Sequence, residues 1–289
     1  MQGVPEMRAS AGSLSRHMAT AALLAPSLVF VGLCFIVPMV DFFLLGFRGE
    51  NGVFGTYLAV LGSDAYRHVF LKTILLGAVV TAISVLLALP VAWLLTNVRG
   101  NARMFVSWCV LFPLWISILV RTFSWMLLLD GSGPLNRLAQ YLSGSATPLR
   151  LLFSDFAVAL GMIHVLVPFA IFPVATAMAR VDRTVLAASE GLGASPLYTF
   201  RKVYAPLIAP GIGAAATLVF LLSLGFFITP ALLGGQGGTT VPMLIEQLIN
   251  EQLNWQMASA VSFILLGLTL VILAATLRVF PVAESWTSR

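Results

Sequence analysis

The sequence predicts an all-α, polytopic membrane protein with six transmembrane helices, and three observations predict it. Of 289 residues, 59% are hydrophobic and only 9% are charged, and the charges fall between stretches long enough to cross a bilayer. An ordinary soluble domain carries roughly 25% charged residues, so most soluble enzyme classes are excluded. A hydrocarbon core about 30 Å thick takes roughly 20 apolar residues of helix. Ala19 to Val40, Thr73 to Val98, Phe156 to Ala179, Val203 to Ile245 and Met257 to Leu277 hold no charge, and Met104 to Leu129 holds only Arg121.

These stretches place spans at about 19–45, 70–98, 104–130, 154–180, 206–230 and 256–280. Together they form a transmembrane domain over 19–281, between terminal segments 1–18 and 282–289. The first run follows Arg8 and Arg16, but it is longer than the core of a signal peptide and lacks a clear cleavage site, so it reads as a retained span. The fifth stretch is too long for one crossing. Pro206, Pro210, Pro230 and Pro242 cut it, which leaves a helix from about Gly211 to Thr229 and a Gly-rich loop from Pro230 to Thr240. Thr240 to Ile249 then reads as a short helix on the outer membrane face, with Thr240 as a cap and Met243, Leu244 and Leu248 as its apolar stripe.

Basic residues gather on the cytoplasmic side of membrane proteins. Ten of them, Arg8, Arg16, Arg99, Arg103, Arg180, Arg183, Arg201, Lys202, Arg278 and Arg289, share one side with four acidic residues, while the other side holds six basic and seven acidic. Both termini are therefore expected in the cytoplasm.

What the spans lack narrows the function. Arg121 and His164 are the titratable groups well inside them, with no carboxylate at depth to serve as acid or base. The chain's lysines, Lys72 and Lys202, stand in no phosphate-binding loop, so any nucleotide chemistry belongs to another subunit. His164 has no Cys, Asp or second His at ligand spacing, which argues against a metal and for a hydrogen-bonded packing residue. Cys34 and Cys109 lie in apolar runs and read as small buried hydrophobes. No basic run is interleaved with aromatics, so nucleic acid is not an expected partner.

The segment between spans four and five, 182–203, has its own punctuation. Asp182 suits the N-cap of a short helix and Gly193 the left-handed residue that ends it. Ser195 and Pro196 suit the cap and first position of a second helix. The first helix would carry Val185, Ala188, Ser189 and Leu192 on one face, with Ala187, Ala188 and Ser189 making it narrow. A narrow apolar helix outside the membrane wants a cleft, or else it packs on its own bundle.

This spacing resembles the cytoplasmic signature of ABC-importer permeases: Glu-Ala-Ala, three residues, Gly, nine residues, Ile, one residue, Leu-Pro. Ala188, Gly193 and Pro206 match in register, and Val203 and Ala205 stand at the Ile and Leu places. Ala187 replaces the Glu and Ser189 the second Ala, which leaves open whether Glu190, one turn along, substitutes. The run Phe112-Pro-Leu-Trp-Ile-Ser-Ile-Leu-Val-Arg-Thr-Phe-Ser-Trp, followed by Leu129-Asp-Gly-Ser-Gly-Pro-Leu-Asn, is similar to the third span and next loop of spermidine/putrescine-type permeases, in particular the first of their two permease subunits.

The resemblance implies a type I ABC-importer permease of the bacterial inner membrane. It also implies a second, different permease chain, two cytoplasmic ATPases that carry ATP and Mg, and an extracytoplasmic solute-binding protein. On it, Ala187, Ala188, Ser189, Glu190, Gly191, Leu192, Gly193, Ala194, Ser195 and Pro196 form the ATPase-coupling segment, and this chain is no enzyme and binds no cofactor. The implied solute is a polyamine such as spermidine or putrescine, or a related amino compound, passed from the binding protein to the cytoplasm; relatives in that branch also carry opines, amino-acid derivatives and organophosphonates. An ion-coupled secondary carrier is the competing class, usually built from two inverted repeats, and no convincing repeat is visible.

For the translocation path, Trp125, Phe169, Phe226 and Phe227 offer cation–π contacts to a polyamine, worth about 0.5 to 2 kcal/mol each. Aromatics at this spacing also serve as bundle core or interfacial belt. Asp130 and Asp41 stand at span ends, either drawing in a cation or simply solvated. Arg121 would repel a polyamine if it faced the path. It either snorkels outward, binds carbonyls at a subunit interface, or marks an anionic or zwitterionic solute.

Overall fold

The computed structural model describes residues 23–48, 54–144, 147–235 and 237–279. The terminal segments 1–18 and 282–289, residues 19–22 and 280–281 of the expected membrane domain, and with them Arg8, Arg16, Glu50 and Arg289 of the charge count, lie outside the described residues.

Helices α1 (Leu23–Leu45), α2 (Gly55–Gly62), α3 (Asp64–Asn97), α4 (Gly100–Trp115), α5 (Ile118–Leu129) and α6 (Pro134–Ser143) make up the first half. The second half holds α7 (Asp155–Ala179), α8 (Arg183–Gly191), α9 (Pro196–Leu224), α10 (Ile228–Leu233), α11 (Val241–Asn250) and α12 (Trp255–Val279). Five of these, α1, α3, α7, α9 and α12, are long and apolar enough to cross a membrane, and α4 with the bent continuation through α5 and α6 makes a sixth. Helices are the form such apolar segments must take, because the hydrocarbon offers their backbone groups no other partner.

The centre is a three-helix contact of α3, α7 and α9. Val80, Ala88 and Ala92 of α3, Val158, Ala170 and Val174 of α7, and Ala215 and Val219 of α9 are all buried there. Small residues let the backbones close: a Cβ on Gly211 would collide with Ala177, and one on Gly77 would lie 2.7 Å from the Ser223 hydroxyl. A second cluster gathers Tyr57, Val60, Leu244, Leu248 and Val261 where α2, α11 and α12 meet. There Ser259 donates to the Phe43 carbonyl at 3.2 Å and accepts from the Gly46 N–H at 3.0 Å, joining α12 to α1. Lys72 of α3 pairs with Asp155 at 2.8 Å and donates to the Gly237 carbonyl at 2.6 Å, fastening the loop after α10 to the same end.

Several elements depart from their sequence expectations. The second crossing begins at Asp64, well before residue 70. The third is no straight helix over 104–130. Pro113 removes a donor, Ile116 and Ser117 are extended, and the halves meet at 93°. The fifth begins at Pro196, runs through Pro206 and Pro210 by way of a wider π turn at Phe200–Tyr204, and stops at Leu224. The expected loop at Pro230 instead opens inside α10. Thr240 caps nothing with its side chain, since the Thr73 hydroxyl accepts the Val241 N–H at 2.9 Å. Met243 is only half-buried, and Val241 joins Leu244 and Leu248 on the covered face of α11. Cys34 and Cys109 are exposed on the outer surface of α1 and α4, not in the core.

Candidate functional site

Two regions concentrate the sequence's candidate residues. The first is the hairpin of α8 and the start of α9, beyond the end of α7. The Asp182 carboxylate accepts from the Thr184 N–H at 2.8 Å, and hydrogen bonds from that N–H and from the Thr184 side chain hold its carboxyl below the usual range. Its capping bond therefore persists at neutral pH and is lost only as acid protonates it. Gly193 turns the chain at φ +82°, with its N–H donating to the Glu190 carbonyl at 2.9 Å and that of Ala194 to Ser189 at 3.2 Å. Ser195 accepts from the Tyr198 N–H at 3.3 Å and Pro196 opens α9. The Ser189 and Thr199 hydroxyls, 2.9 Å apart, latch the two arms.

The hairpin is sided. Leu186 and Ser189 turn toward the bundle, while Val185, Ala188 and Leu192 turn away, with Leu192 89% exposed. Leu197 and Tyr198 continue this uncovered apolar edge onto α9, and Gly191 and Ala194 complete the turn. On the other side lies a polar cleft of about 530 Å³, lined by Ala187 and Glu190 together with Arg103, Arg183, Asn97 and Tyr204. Arg183 spans it, donating to the Asn97 side-chain oxygen at 3.3 Å. Ala187 and Glu190 thus look into one cleft from successive turns of α8, which the linear motif did not reveal.

The second region lies between α5, α7 and α10, where two interrupted helices meet. The Thr122 and Thr229 hydroxyls are 3.2 Å apart, and a Cβ on Gly161 of α7 would lie 2.7 Å from the Thr229 methyl. Next to Thr122, Arg121 is only 8% exposed, so it does not snorkel, and its Nε and Nη1 have no partner among the described residues. One turn along α5, Trp125 donates its indole N–H to His164 Nδ1 at 3.0 Å, and Arg121 is within electrostatic reach of that imidazole. His164 is hydrogen-bonded, as expected, but it is exposed on α7 and not packed in the core.

The remaining path candidates are scattered. Trp125 and Phe226 pack against the main core, whereas Phe169 and Phe227 are exposed. The Asp130 carboxylate accepts from Ser132 N–H at 2.9 Å and Ser132 hydroxyl at 2.7 Å, building the turn into α6. Asp41 sits on α1, 4.0 Å from Arg48, both exposed. Sequence reading missed the Thr122–Thr229 bridge and the Trp125–His164 pair. The only signal for either was a polar residue inside an apolar run.

Residues 51–280 match the family model described as "Binding-protein-dependent transport system inner membrane component". The spermidine/putrescine transport system permease protein PotB of Escherichia coli (strain K12) is 30% identical over 211 residues, covering 72% of this chain and 76% of that protein. The putative 2-aminoethylphosphonate transport system permease protein PhnU of Salmonella typhimurium (strain LT2) is 27% identical over 262 residues, 86% of this chain and 87% of its own. Among solved structures, a chain of a bacterial alginate ABC transporter in complex with an alginate pentasaccharide-bound periplasmic protein superposes with a TM-score of 0.76. That match covers 92% of this chain and 94% of the other at 17% identity, a likeness of fold.

Proposed function

The chain belongs to the binding-protein-dependent transport family of inner-membrane components, and from that membership we propose which partner or solute each of its surfaces serves. It is a multi-pass protein of the bacterial inner membrane and the permease subunit of an ABC importer, not a catalytic subunit. The hairpin faces the cytoplasm, with both termini, and docks in a groove on an ATPase. Two ATPases, holding ATP and Mg, serve this chain and a second, different permease. This chain itself holds no cofactor. An extracytoplasmic solute-binding protein delivers the solute at the opposite face.

The observation that carries the docking reading is the uncovered edge of Val185, Ala188 and Leu192, with Leu192 89% exposed on a hairpin outside the spans. Covering apolar surface gains about 25 cal/mol per Å², so such an edge favours a partner's groove. ATP-driven closure of the ATPases then pushes on α8, and because α9 runs unbroken from Pro196 to Leu224, the push turns the bundle as a rigid body.

The solute is a small amino compound. The name of PotB supports spermidine or putrescine, whose ammonium groups suit the faces of Trp125, Phe169, Phe226 and Phe227. The buried Arg121 favours a second reading, an amino-acid derivative or an aminophosphonate of the kind named for PhnU.

Native mass spectrometry of the tagged protein, gently extracted from its own membranes, tests the assembly. Two ATPase copies and a second six-span subunit are expected, and Ala188→Trp should release the ATPases by overpacking the dock. A lone chain or homodimer that still moves solute without ATP would sink the reading.

A further inference from the structure

We propose that Arg121 and His164 form a receiving site for an acidic group on the solute, so that the permease carries an amino compound bearing a carboxylate or phosphonate. The proposal rests on the importer reading above.

A guanidinium in hydrocarbon is expensive unless paired. Arg121 is 8% exposed, yet Nε and Nη1 have no acceptor, and the ion pairs among the described residues join Arg48 to Asp41, Arg67 to Asp64 and Lys72 to Asp155. The polar side chains beside it are engaged with one another. The Thr122 hydroxyl is engaged with the Ile118 carbonyl and with Thr229. Trp125 has spent its N–H on His164 Nδ1, which leaves the proton of a neutral imidazole on Nε2, a donor. Among the described residues, then, no carboxylate pairs with this guanidinium.

Its place in the fold selects the acceptor's source. Arg121 stands just inside the N-terminal end of the twelve-residue helix α5, whose dipole adds to the positive potential. The break before α5 and the break before α10 come together here, and paired breaks of this kind line the solute sites of secondary transporters. His164, nine residues into α7 and about 14 Å from its start, is exposed and gives access from outside the core. A carboxylate or phosphonate would pair with the Arg121 guanidinium and accept from His164, leaving the amine for the aromatic faces.

The test uses the whole complex, co-purified with its ATPases, second permease and binding protein and placed in liposomes. Uptake of putrescine, γ-aminobutyrate and 2-aminoethylphosphonate is measured for the wild type, Arg121→Met and Arg121→Lys. Uptake of an acid-bearing probe is expected, reduced about 10- to 100-fold by Arg121→Met and less by Arg121→Lys, with all subunits still present. Uptake confined to putrescine, or to none of the three, overturns the proposal. So does loss of the second permease from the Arg121→Met complex, which would put the acceptor on that subunit. Absence of ATPases from the wild-type complex would instead defeat the importer reading itself.

Discussion

The helices are interrupted in two settings, at the hairpin around Gly193 and at depth before α5 and α10, and the two are built differently. At the hairpin, side chains close in sequence finish the helix starts: Thr184 N–H meets Asp182, Tyr198 N–H meets Ser195, and the turn closes through the carbonyls of Ser189 and Glu190. At depth Ser117 and Phe227 make no side-chain cap, and the breaks are held by other helices, through Thr122 on Thr229 and through Gly161 against Thr229 and Leu233. Where water reaches a helix end, a short stretch of chain can finish it. Where water is absent, backbone bonds such as Ile116 N–H to Pro113 and Phe226 N–H to Ser223 are backed by packing against other helices and not by side-chain caps.

Four substitutions sharpen that contrast. Gly211→Val acts at depth and should have the largest effect, because its Cβ meets Ala177 and the Pro173 carbonyl, and neither can yield easily. A loss of about 3 kcal/mol is expected, read as a lower thermal unfolding midpoint in detergent. Gly193→Val comes next. Nothing lies within 4 Å of its Cβ position, so the about 2 kcal/mol is purely conformational, set by φ +82°. Transport-coupled ATP hydrolysis should fall about 30-fold while the bundle's midpoint stays put, and normal coupling would remove Gly193 as the hinge. Ser195→Ala should cost about 1 kcal/mol of local order, measured as faster amide exchange at Tyr198. Thr122→Val should cost least, about 0.6 kcal/mol. If it destabilised the protein more than Ser195→Ala, the breaks at depth would depend on a single bridge and not on packing.

The contrast also explains what was legible beforehand. Asp182, Gly193, Ser195 and Pro196 announce the hairpin because each acts on its immediate neighbours. The six apolar crossings are equally plain, because hydrophobic length is a local quantity. The bend at Ile116–Ser117 sits in a run of apolar residues with no cap, and what stabilises it is α10, more than a hundred residues away. Pro206 misled in the opposite sense: a proline usually ends a helix, but here the π turn before it carries the chain on. The inward orientation of Arg121 depends on the same distant contact, the packing of α5 against α7 and α10, which no local pattern around residue 121 encodes.

The continuity of α9 has one mechanical consequence. Twenty-nine residues of unbroken helix make a rod about 43 Å long. Pivoted at the hairpin and tilted by about 5°, it sweeps its far end through about 4 Å. Leverage of this kind would separate cause from effect: a tilt too slight to disturb the Ser189–Thr199 latch would carry the Gly225 end of the rod through that whole distance.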